Sequence, residues 1–157
     1  MRQQISNFVL IIGFSMVLLA CNMQSVYDES ITIGNKAWYK DDLARFEVTI
    51  DDTLQLYNFY VNIRNTTDYR YSNLYIFMNT RFPNDHISRD TIELILADVE
   101  GKWLGKGWGA TKENSIQLSG DMRFPLKGQY EFKIQQAMRV DTLDGISDVG
   151  IRVTPSE

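Results

Sequence analysis

With a single cysteine, Cys21, the 157-residue chain can form no internal disulfide, so its fold must be held by packing alone. Its single histidine, His86, excludes zinc centres built from cysteine and histidine and obliges any histidine-dependent triad to use that one residue. His86 ends Phe82-Pro83-Asn84-Asp85-His86, which reads as a solvated turn between two strands. Basic residues are fewer than acidic ones, 16 against 20, and form no stripe, so nucleic acid and anionic headgroups are poor partners. No apolar run reaches the roughly 20 residues that a membrane span needs. The longest, Phe8 to Leu19, is broken by Gly13 and Ser15.

That run follows Arg2, and together they make the pattern of an export signal. It ends in Leu18-Leu19-Ala20-Cys21, which resembles the bacterial lipobox, where a small residue precedes an invariant cysteine. The resemblance to bacterial lipoproteins implies a diacylglycerol on the Cys21 thiol, cleavage before Cys21 and acylation of the new amino group. Several acyl chains hold a protein stably where one holds it only marginally. Loss of residues 1–20 removes Arg2 and takes the whole-chain net charge of −4 one unit further negative, so membrane attachment must come from the lipid. No cofactor beyond that covalent lipid, and no metal, is expected. Asn22 is not the aspartate associated with inner-membrane retention, and no acidic run follows Cys21 to suggest surface export. The expected location is the cell envelope, at the outer membrane and facing the periplasm.

Residues 21–37 read as a lipidated tether, being polar and without sustained period. Residues 38–157 read as one domain in which period two dominates. Phe46, Val48 and Ile50 alternate with polar neighbours, Asp51-Asp52 breaks the run, and Tyr57, Phe59, Val61 and Ile63 begin a second strand, with a hairpin as the simple connection. Leu74, Ile76, Met78 and Phe82 share a face of a third. Further strands are expected at Thr91–Ala97, Ser115–Leu118, Tyr130–Gln135 and Val149–Val153, and one helical turn near Met138. No mature segment of helical length keeps a 3.6 period. The expectation is all-β: a single antiparallel β-sandwich, jelly-roll or immunoglobulin-like in strand order.

Gly101-Lys102-Trp103-Leu104-Gly105-Lys106-Gly107-Trp108-Gly109 is the most unusual stretch. It is no phosphate loop, since Lys106 is followed by glycine, not Ser or Thr, and no helix follows. Trp103 and Trp108 either offer stacking faces to a sugar or peptide, or Trp103 caps the core while the glycines turn the chain. Arg64 through Asn73 joins two strands by a polar loop in which Tyr69 and Tyr71 are either recognition residues or parts of a turn with Arg64 paired to Asp68. Asp141, Asp144 and Asp148 flank Gly145 without the spacing of a calcium loop. Asp90, Glu93, Glu100 and Glu113 are scattered over strands and define no glycosidase pair. Thr53, Thr91 and Thr142 each follow aspartate and precede an apolar residue, the pattern of a bacterial O-glycosylation acceptor or of simple strand and turn composition.

Taken in order, the lipobox at Cys21, Val26-Tyr27-Asp28, Trp38, Tyr57-Asn58, Asn62-Ile63-Arg64-Asn65, Tyr69, Ser72-Asn73-Leu74 and Asp90-Thr91 resemble the gliding-motility lipoprotein GldH family. The likeness continues through Gly101-Lys102-Trp103-Leu104-Gly105, Gly128-Gln129-Tyr130, Gln136-Ala137-Met138-Arg139, Leu143-Asp144-Gly145-Ile146 and Asp148-Val149-Gly150. The resemblance implies a non-enzymatic, membrane-anchored scaffold serving surface gliding and type IX secretion, partnered by other gliding lipoproteins or secretion components. It brings no catalytic motif, and Cys21 is the one site residue it transfers. The rival expectation from the residues themselves is a lipid-anchored glycan- or peptide-binding module built on Trp103 and Trp108.

Overall fold

Alternating apolar residues become the inner faces of two sheets. The computed structural model describes residues 25–156, so the expected signal peptide, residues 1–20, and Cys21 lie outside the described residues. Ten strands follow in order: β1 (Tyr27–Thr32), β2 (Ala37–Tyr39), β3 (Ala44–Ile50), β4 (Tyr57–Thr66), β5 (Asn73–Arg81), β6 (Ile87–Ile95), β7 (Thr111–Met122), β8 (Gly128–Gln136), β9 (Thr142–Asp144) and β10 (Ile146–Pro155). Phe46, Val48 and Ile50 of β3, Phe59, Val61 and Ile63 of β4, Leu74 and Ile76 of β5 and Tyr130, Phe132 and Ile134 of β8 are all buried between the sheets. No α-helix occurs among the described residues.

One sheet has the order β1-β10-β4-β7 and the other β3-β8-β5-β6, with a short ribbon β2-β9 beside them. All pairings are antiparallel. β1 pairs with β10, β2 with β9, β3 with β8, β4 with β7 and β5 with β6, so each strand meets its mirror image in the chain. The domain is therefore one long antiparallel ribbon with its tip at residues 82–86, rolled up and closed by the β10–β4 and β5–β8 pairings. That is the jelly roll, and it decides between the two sandwich orders left open by the strand pattern.

Several expectations are corrected. β3 and β4 are not a hairpin but lie in different sheets. Asp52 turns the chain into the crossover by accepting the amides of Leu54 at 2.7 Å and Gln55 at 3.2 Å, and one apolar face per strand fits either sheet equally well. The tether reading fails for residues 27–32, which form edge strand β1, so the domain begins well before residue 38. β1 is held by backbone pairing to β10 and buries no residue, hence it carries no alternation to detect. β7 extends far beyond Ser115–Leu118. Around Met138 the chain makes bends, not a helical turn: Gln136, itself buried, accepts the Met138 amide at 2.8 Å and donates to the Val140 carbonyl at 2.9 Å.

Register gives the sandwich two poles. Tyr27 lies opposite Val153, Val153 opposite Phe59, and Phe59 opposite Ser119, so the chain enters at the pole that carries loops 51–56, 82–86 and 123–127. Loops 67–72, 96–110 and 137–141 gather at the other pole, together with the β9–β10 turn. The entering pole is called proximal here, and the opposite one distal.

Candidate functional site

At the distal pole, three loops are tied to one another through their backbones. The Thr67 amide donates to the Ala110 carbonyl, the Thr66 amide to the Gly145 carbonyl, and the Leu96 and Ala97 amides both to Ser72, all at 2.8–2.9 Å. Beneath them, Asn114 donates to the Asn65 side-chain carbonyl at 2.9 Å, and Asn65 donates to the Thr66 carbonyl at 2.9 Å. Both asparagines are buried. The sequence marks Asn65 only as part of the Asn62–Asn65 motif and Asn114 not at all, although each sits in phase with the inward residues of its strand, Asn65 after Ile63 and Asn114 before Ile116. A polar residue at an inward position is the signal that finds such a pair.

The 96–110 loop is built in two parts. Asp98 accepts the Glu100 and Lys102 amides at 3.0 and 2.9 Å, turning the chain at Val99, whose side chain is fully exposed. After Trp103, the backbones of Lys106 and Glu113 exchange two hydrogen bonds and extend β7 as a small hairpin. Gly107 and Gly109 take left-handed φ values of 134° and 67° on either side of Trp108, conformations that a side chain resists. Lys112 donates to the Gly107 carbonyl at 2.9 Å. The result is an ordered tip that holds the Trp108 indole 98% exposed. An indole held in water without packing is a preformed anchor for another molecule.

The other sequence candidates separate here. Tyr69 is buried and is corrected from a surface residue to a structural one: its hydroxyl donates to the Asn73 carbonyl at 2.8 Å and its ring meets Tyr71 edge-on at 5.6 Å. Trp103 is half-buried against the core, 6.4 Å from Tyr69, so it presents no free stacking plane beside Trp108. Tyr71 remains exposed. Arg64 pairs across the sheet with Asp148 at 3.3 Å and Glu113 at 3.7 Å, not with Asp68. The three aspartates near Gly145 diverge: Asp141 binds Lys40 at 2.6 Å, Asp148 takes Arg64 and the Thr32 hydroxyl, and Asp144 lies in β9. Among the described residues no group of three or more His, Cys, Asp or Glu gathers. Asp90 and Glu93 lie in β6, Glu113 in the opposite sheet, and Glu100 on the Val99 turn. His86 is exposed in the β5–β6 turn, where its carbonyl accepts the Phe82 amide at 2.8 Å.

Burial, and then the neighbouring Tyr71 hydroxyl, push the Tyr69 phenol well above its ordinary value near 10. A raised folded pKa means that the folded state keeps its proton longer than the unfolded chain. The stabilisation is thus complete below about pH 10 and is lost as pH rises toward the folded value. Tyr69→Phe gives up one hydrogen bond, about 1 kcal/mol at neutral pH, but flattens this alkaline decline. Urea midpoints at pH 8 and above pH 10 measure both effects, and equal alkaline slopes for the two proteins would contradict the assignment.

The family model described as GldH lipoprotein matches residues 25–153, from the amino acid before Val26 of β1's approach to the end of the β10 rung that faces Phe59. The chain belongs to the GldH lipoprotein family. It is similar to the gliding motility lipoprotein GldH homolog of Christiangramia forsetii, at 38% identity over 165 residues, covering 100% of this chain and 99% of that protein. It is similar as well to the gliding motility lipoprotein GldH of Flavobacterium johnsoniae, at 31% identity over 157 residues, covering 96% and 97%. A solved family 16 carbohydrate binding module matches 77% of this chain and 74% of its own at 9% identity and a TM-score of 0.25, too low to bear on fold or ligand. Membership in the GldH family makes the chain a lipid-anchored protein of the cell envelope.

Proposed function

We propose that this GldH-family chain is a non-enzymatic scaffold of the gliding motility and type IX secretion apparatus, held by acylated Cys21 at the outer membrane and facing the periplasm. The observation that carries the reading is polarity: the chain enters at the proximal pole, while Trp108 and Val99 project from the distal one. A lipidated domain so built turns its ordered, exposed anchors away from the membrane and toward other gliding lipoproteins or secretion components. The reading requires no cofactor beyond the covalent lipid. Thr142 is exposed in β9, whereas Thr91 lines a cleft on β6 and Thr53 is half-buried, so exposure favours O-glycosylation at Thr142, which an intact mass equal to peptide plus lipid excludes.

Mild crosslinking in the native envelope followed by affinity purification tests the scaffold. Gliding or type IX components are expected with the native chain and absent with Cys21→Ala. Trp108→Ala leaves folding stability within about 0.5 kcal/mol, because the indole packs on nothing, yet loses about tenfold or more in partner affinity if it is the anchor. Recovery of bound glycan alone, abolished by Trp108→Ala, would replace the scaffold by the glycan- or peptide-binding module.

A further inference from the structure

On the side of the sandwich where β6 and β7 are free edges, the sheets part over a cleft of about 440 Å³ in the proximal half. Its floor is aromatic, from Phe59, Tyr130 and Phe132, its rims are the half-buried Ile92, Leu118 and Met122, and the polar Thr80, Ser88, Asp90, Thr91 and Ser119 also line it. At ~30 Å³ for each water-sized group, it has room for about fifteen of them, the bulk of one long acyl chain. We propose that this cleft receives an acyl chain of the lipid on Cys21, which deepens the anchored reading above and rests on lipidation at that residue.

Register supplies the argument for this occupant. The rung Tyr27, Val153, Phe59, Ser119 runs from the first residue of β1 straight to the cleft, whose floor contains Phe59 and whose mouth contains Ser119. Three strand spacings separate its ends, about 14 Å. The Val26 amide is tied to the Val153 carbonyl at 2.9 Å, and Cys21 stands five residues before Val26, a span of up to about 17 Å, which exceeds the length of the rung without disturbing β1. The aromatic-floored cleft therefore opens within reach of the only covalently attached apolar group that the chain is expected to carry. A chain seated there exchanges bilayer for protein cover, with each methylene still removed from water. It also holds the proximal pole, where β6 begins and β7 ends, against the membrane.

The test uses the native lipidated protein from cells fed a diazirine-bearing fatty acid, reconstituted in phosphatidylethanolamine vesicles and irradiated. The expected product joins the Cys21 lipopeptide to peptides of β6 or β7. Ile92→Trp, which fills the cleft, and Leu118→Asp, which makes its rim polar, each abolish that product while thermal melts report the fold intact. A Cys21 lipopeptide crosslinked only to vesicle lipid overturns the proposal. So does a cleft labelled only by diazirine phospholipid added to vesicles holding unlabelled protein, since the occupant is then a membrane lipid. An intact mass without acyl groups on Cys21 overturns it by removing the anchored reading itself, a failure that the mass alone identifies.

Discussion

Trp38→Ala is expected to destabilise the domain by about 3–5 kcal/mol, a large part of the roughly 5–15 kcal/mol available to a domain of this size. Trp38 is 0% exposed and heads the largest fully buried side chains. It stands in the three-residue strand β2 opposite Leu143 of β9, and its indole nitrogen donates to the Asp42 carbonyl at 2.9 Å. Alanine leaves a cavity at the corner where the rolled ribbon passes from one sheet to the other, and it strips that carbonyl of its partner. Trp38→Phe, which keeps much of the volume, should lose appreciably less. Denaturant midpoints of the three proteins measure the series. A loss under about 1 kcal/mol for alanine would show that the β2–β9 ribbon is not an integral corner of the core.

Gly145→Ala is expected to follow, at about 2–4 kcal/mol, because strain and crowding act at one atom. Gly145 has φ +94°, and a Cβ there would meet the Tyr69 Cα at 3.0 Å and the Thr66 hydroxyl oxygen at 3.2 Å. It cannot shift freely, since its amide donates to the Lys36 carbonyl and its own carbonyl accepts the Thr66 amide, each at 2.8 Å. Gly34 is the control: nothing lies within 4 Å of its added Cβ. If the two alanine variants melted alike, contact with Tyr69 would not be the reason for glycine at 145. Because Tyr69 packs on Trp103, the Gly145→Ala change should also alter tryptophan fluorescence, which Gly34→Ala leaves unchanged.

Legibility in the sequence followed burial on one face. Where a strand buries one face, as β3, β4, β5 and β8 do, alternation located it. Where pairing alone holds a strand, as in β1, or where an edge strand is exposed on both faces, as in much of β6 and β7, the alternation is weak and the ends were missed. The site divides on the same principle. That Trp103 and Trp108 stand in a glycine-rich loop was plain from the residues. Their opposite fates depend on contacts to Tyr69, which lies more than thirty positions earlier in the chain.

By itself the amino-acid sequence determined the all-β class, the absence of any internal disulfide and the family. These follow from residue types and from periods of a few residues, which no distant contact can alter. Tertiary structure alone decided the jelly-roll order, the membership of β1 in the sheet, the burial of Tyr69 and the placing of the Trp108 tip opposite the point of chain entry. Each depends on which strands pair, and one apolar face per strand is satisfied by several pairings until the whole ribbon closes on itself.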